Sequence, residues 1–93
     1  PISLANASPA DVSARTTRLL DMLDQYAGRL QDPGLSLKQI EPAMEDIQRA
    51  AADLLASAEK DPELNTNLKR IARETALTAN REYLKFQRGD YLA

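Results

Sequence analysis

Apolar residues recur along this chain at steps of three and four, in three separate stretches. Val12, Thr16, Leu19, Leu23, Tyr26 and Leu30 make the first. Leu37, Ile40, Met44, Ile47, Ala51, Leu54 and Ala58 make the second, and Leu64, Leu68, Ala72, Thr75, Ala79, Tyr83 and Phe86 the third. Such spacing puts each set on one face of an α-helix. The second set keeps a heptad rhythm, which suits helices packed at a shallow angle. Nowhere do β-branched and aromatic residues alternate over four or more positions, so no strand is expected.

Punctuation between the stretches predicts helices near 9–31, 37–59 and 62–88. Ser8 can cap the first, Pro9 fits its first position, and Asp11 favours its positive end. Asp32-Pro33-Gly34 stops it and turns the chain. Gly28, late in that helix, either admits a neighbouring helix or weakens the last turn, at a cost of about 1 kcal/mol relative to alanine. Ser36 and Gln39 form a capping box, with Leu35 and Ile40 at the flanking staple positions. Pro42 interrupts the second pattern by removing a backbone bond and disfavouring helix at Glu41. The preferred reading makes Ser36 to Glu41 a separate turn and starts the long helix at Pro42; a kinked continuous helix is the alternative. Asp61-Pro62-Glu63 repeats the start signal, opening a third helix of about 40 Å that Gly89 terminates in a left-handed conformation. Short connections make neighbouring helices antiparallel. The expected fold is all-α: a compact three-helix antiparallel bundle with a long C-terminal helix, spanning 8–93 after a flexible segment 1–7.

Composition narrows the chemistry. The 93 residues allow a single domain, and 43% hydrophobic with 28% charged residues is globular rather than disordered. There is no cysteine and no histidine. This removes thiolate and imidazole metal ligands together with the commonest general base, so no catalytic residue, cofactor or metal site is assigned. The acid pairs Glu41/Glu45 and Glu45/Asp46 fall on an outer helix face and read as solubility and helix-dipole charge. Ser and Thr lack a histidine to activate them, and Gly28, Gly34 and Gly89 are too scattered to cradle phosphate. The longest apolar runs, such as Ala50-Ala51-Ala52, are far short of the ~20 residues of a membrane span. Pro1 to Ala7 lack the pattern of a signal peptide. A cytoplasmic protein without a membrane span is expected, although a leader already removed would leave no trace.

One feature exceeds what a bundle requires. Opposite the inner stripe of the third helix lie Arg70, Arg73, Leu77, Arg81, Leu84 and Arg88. Two leucines one heptad apart, framed by arginines, suit a partner that is apolar in the middle and acidic at the rim. A second copy of the chain could use the same stripe, and a solvated face with stray leucines is the bland reading. Nucleic acid is the less favoured partner: net charge is −2, and Glu74 and Glu82 dilute a patch of Arg70, Arg73, Arg81, Lys85 and Arg88. Three of the four aromatics, Tyr83, Phe86 and Tyr91, fall at the C-terminal end, where Phe86 and Tyr91 could anchor a partner or fold over the Gly89 cap. Arg88-Gly89-Asp90 spells a cell-adhesion tripeptide, but a helix stop explains its glycine.

In outline, an acidic helical hairpin plus a long helix with an aromatic tail resembles small bacterial secretion and flagellar-export chaperones and adaptors. The likeness is one of size and architecture and carries no signature residue. The function expected is a non-catalytic helical protein–protein interaction module, adaptor or chaperone-like. The partner-binding residues would be Arg70, Arg73, Leu77, Arg81, Leu84, Arg88 and Tyr91. The alternative is a structural, self-associating homodimer.

Overall fold

The computed structural model describes residues 9–89 and contains three helices: α1 (Pro9–Leu30), α2 (Leu37–Glu59) and α3 (Thr66–Arg88). Of the described residues 84% are helical and none is in a strand. Each helix packs on both others. α2 runs antiparallel to its neighbours, so α1 and α3 point the same way. The expected antiparallel three-helix bundle is the fold observed, drawn out to 50 × 24 × 17 Å.

The inner faces are those that the spacing marks. Val12, Leu19 and Tyr26 from α1 meet Ile40, Met44, Ile47, Ala51, Leu54 and Ala58 from α2. α3 contributes Ala72, Ala76 and Ala79, with Leu68, Tyr83 and Phe86 partly buried around them. Small side chains on α3 let its backbone approach the hairpin, which makes the core thin and alanine-lined on that side. Thr16 and Thr75 are buried among these residues without an orphaned hydroxyl. Thr16 Oγ1 donates to the Val12 carbonyl at 2.8 Å and Thr75 Oγ1 to the Ile71 carbonyl at 2.7 Å. Leu23, placed in the core from its spacing, is only partly buried.

Two helix starts differ from expectation. α2 is continuous from Leu37 with Pro42 inside it, so the long helix does not begin at Pro42. The first turn is secured from outside the backbone ladder. Ser36 Oγ accepts from the Gln39 amide, Gln39 Oε1 accepts from the Ser36 amide, and Ile40 is 2% exposed. A cap of about 1 kcal/mol and a buried isoleucine of about 1.5–3 kcal/mol offset the ~3 kcal/mol that proline costs inside a helix.

α3 begins at Thr66, not Pro62, so it has 23 residues, about 35 Å. Asp61 turns the chain instead: its Oδ1 accepts from the Glu63 amide at 3.0 Å and its carbonyl from the Leu64 amide at 3.2 Å. That turn seats Leu64, 6% exposed, as a plug on the core. Asn65 is the true cap, with Oδ1 accepting from Asn67 and Leu68 amides at 2.8 and 3.3 Å. At the other end Gly89 has φ 75° and donates to the Lys85 and Phe86 carbonyls, the left-handed stop expected there.

After α1, the Gly34 amide donates to Asp32 Oδ1 at 2.8 Å in the predicted turn. Gly28 admits no neighbour, since a β-carbon there would meet nothing within 4 Å. Its effect is confined to weakening the helix. The Ser8 cap, the segment 1–7 and Tyr91 lie outside the described residues.

Candidate partner-binding face

α3 is buried along Ala72, Thr75, Ala76 and Ala79, which fixes its rotation about its own axis. At 100° per residue Leu77 and Leu84 then point about 130–150° away from that core direction. They are 51% and 49% exposed, the most exposed large apolar residues of the helix. About 20° separates them around the helix and ~10.5 Å along it. Arg70, Arg81 and Arg88 project within about 60° of this line and all three are exposed. The bundle therefore brings together five of the residues read from the sequence: Arg70, Leu77, Arg81, Leu84 and Arg88.

Arg73 belongs partly to the fold. Its Nε and Nη2 donate to Glu59 Oε1 of α2 at 3.0 and 2.7 Å, tying the end of α2 to the first turns of α3. The Arg73 guanidinium, by hydrogen bond and by charge, holds the Glu59 carboxyl below its ordinary range, with a smaller contribution from Lys69. Both side chains are about half exposed, so the pair is a solvated clasp of modest worth. The side chains of Arg70 and Arg81 have no hydrogen bond or ion pair to other described residues.

Comparison with protein-family models, curated proteins and solved structures finds no match to this chain. The site is therefore read from its own geometry.

Other surfaces offer less. An open groove of about 620 Å³ between α1 and α2 is lined by Arg15, Arg18 and Arg49 against Asp11, Asp46 and Asp53. Arg15 there bonds to Asp11 at 3.0 Å and Arg49 pairs with Asp46, so part of its charge is spent within the chain. A second groove, about 580 Å³ between α1 and α3, has Leu23, Ala27 and Leu30 on one wall and Thr78, Glu82 and Lys85 on the other. Outside this groove, Leu20 on α1 and Ile71 on α3 are 50% and 45% exposed. The sequence reading did not single out Leu20, Ile71 or Leu55, which is 36% exposed. Each sits on the flank of a helix, where periodicity cannot tell a packed edge from a wet one. No group of three or more acidic side chains is placed to hold a metal ion among the described residues, and no described helix is long and apolar enough to cross a membrane.

Proposed function

We propose that this chain is a non-catalytic helical interaction module, adaptor or chaperone-like, that docks a helix of another protein along the outer face of α3. The observation that carries this reading is the pair Leu77 and Leu84, half exposed on a helix whose other face is already filled. An amphipathic helix needs one burial surface, and α3 has a second apolar line besides it. Covering the exposed halves of two leucines contributes about 2–3 kcal/mol. A micromolar complex requires about 8 kcal/mol, so the arginines and surrounding contacts must supply the remainder. Such an interface is transient and salt-sensitive. A non-enzymatic role is proposed with it, since the chain has neither the imidazole nor the thiol that most often serve as catalytic base and nucleophile.

The test is a paired affinity capture from the native source using the wild-type chain and a Leu77→Glu/Leu84→Glu variant, quantified by mass spectrometry. The expected result is a partner enriched by the first and lost with the second, while the melting temperature changes little. If the variant unfolds, both leucines are structural and the docking reading fails. Self-association is the second reading, favoured by Leu20 and Ile71, two further half-exposed apolar side chains that the bundle leaves uncovered. Sedimentation of the purified chain reads it directly.

A further inference from the structure

We infer that the occupant of the α3 face is an acidic amphipathic helix and not a second copy of this chain; the inference rests on the docking reading above. Charge is partitioned sharply within the bundle. α3 carries Lys69, Arg70, Arg73, Arg81, Lys85 and Arg88 against only Glu74 and Glu82. α2 is the reverse, with Glu41, Glu45, Asp46, Asp53 and Glu59 against Lys38 and Arg49. Within the chain Glu59 engages Arg73, and no described residue pairs with Arg70 or Arg81. Both of these arginines stand beside the leucine line, so any helix laid on Leu77 and Leu84 meets them.

A dimer closed by two-fold symmetry uses the same patch twice. In the antiparallel arrangement Leu77 faces the second copy's Leu84, the axis falls between Asn80 and Arg81, and Arg81 meets its own equivalent at the centre, while Arg88 lies beside the second copy's Glu74 only at the solvated ends. In the parallel arrangement Arg70 faces Arg70 and Arg88 faces Arg88, each within about 30° of the leucine line. Both place like charges together where water is being excluded, which disfavours pairing. Docking α3 onto the acidic α2 of another copy would match charges, but that head-to-tail contact builds a ring or an open chain of many copies, which sedimentation separates from a monomer. A phosphate backbone would satisfy the arginines and leave the two leucines facing a charged, hydrated surface. A partner helix with leucine-sized residues one heptad apart and Asp or Glu beside them satisfies both halves of the face, since its spacing of ~10.5 Å equals that of Leu77 and Leu84.

The experiment uses the whole chain and two designed three-heptad peptides, both with leucine at the seam positions, one with glutamate and the other with lysine at the flanking positions. Sedimentation at about 50 µM should give a monomer, well above the micromolar range of a specific dimer. Fluorescence anisotropy at low salt should show the glutamate peptide binding at least about tenfold tighter than the lysine peptide, with the gap shrinking as salt screens the charges. Arg70→Glu with Arg81→Glu should reverse that preference, and Leu77→Glu with Leu84→Glu should lose both peptides, each variant keeping the wild-type circular-dichroism spectrum. Equal binding of both peptides through the leucines would overturn the acidic-helix inference and leave the docking reading standing. Failure to bind either peptide also overturns it, and docking is then decided by the capture experiment alone. A closed dimer dissociated by the leucine substitutions would overturn it in favour of a second copy. Binding of a random-sequence DNA duplex that survives those substitutions would overturn it in favour of phosphate.

Discussion

Truncating Ile47 to alanine removes the buried part of a side chain that is 1% exposed midway along the inner face of α2. Its neighbours in the seam, Met44, Ala51 and Leu54, are equally enclosed, so the void cannot drain to solvent or collapse easily. Core truncations of this kind cost about 2–5 kcal/mol through lost transfer energy and the cavity left behind. Alanine's better helix propensity returns a few tenths of a kcal/mol. A chain of 93 residues has a total stability of roughly 5–14 kcal/mol. Its unfolding entropy is near 0.2 kcal/mol/K, so a loss of about 3 kcal/mol lowers the melting temperature by about 15 °C. Leu77→Ala, at a site 51% exposed, should cost less than about 1 kcal/mol. Leu23→Ala should fall between them, because Leu23 only borders the core. Ellipticity at 222 nm followed through thermal and urea unfolding measures all three. If Ile47→Ala melts within about 3 °C of the parent, or if Leu77→Ala costs as much as Ile47→Ala, the assignment of inner and outer faces is wrong.

Gly28→Ala should stabilise the chain by up to about 1 kcal/mol. A β-carbon there meets nothing within 4 Å, and a lower urea midpoint for the variant would contradict that geometry. Glu59 gives a pH signature. Its carboxyl is held low by Arg73, so its stabilising contribution is present in full above the ordinary glutamate range and is lost as pH falls through the lowered folded value. Glu59→Gln should therefore flatten the dependence of melting temperature on pH below about pH 5, and an unchanged slope would show that the Arg73 clasp does not persist in solution.

Spacing along the chain was enough to place the inner stripes of all three helices, because a helix repeats every 3.6 residues whatever surrounds it. The Gly89 stop and the Ser36–Gln39 box were equally legible, being contacts between residues at most four apart. The outer leucine line of α3, on which the docking proposal rests, followed from the same arithmetic: once Ala72 and Ala79 are inside, Leu77 and Leu84 are outside. Tertiary packing decided the rest. It kept Pro42 within α2 by anchoring Ile40, and it made Asp61-Pro62-Glu63 a turn because Leu64 had a place on the core to fill. It drew Arg73 toward Glu59, a partner fourteen residues away that no local pattern connects to it. It also left Leu20, Leu55 and Ile71 at the helix flanks. Their exposure depends on the distance between adjoining helices, which is set by the side chains of all three at once, whereas a period read along one helix gives only direction.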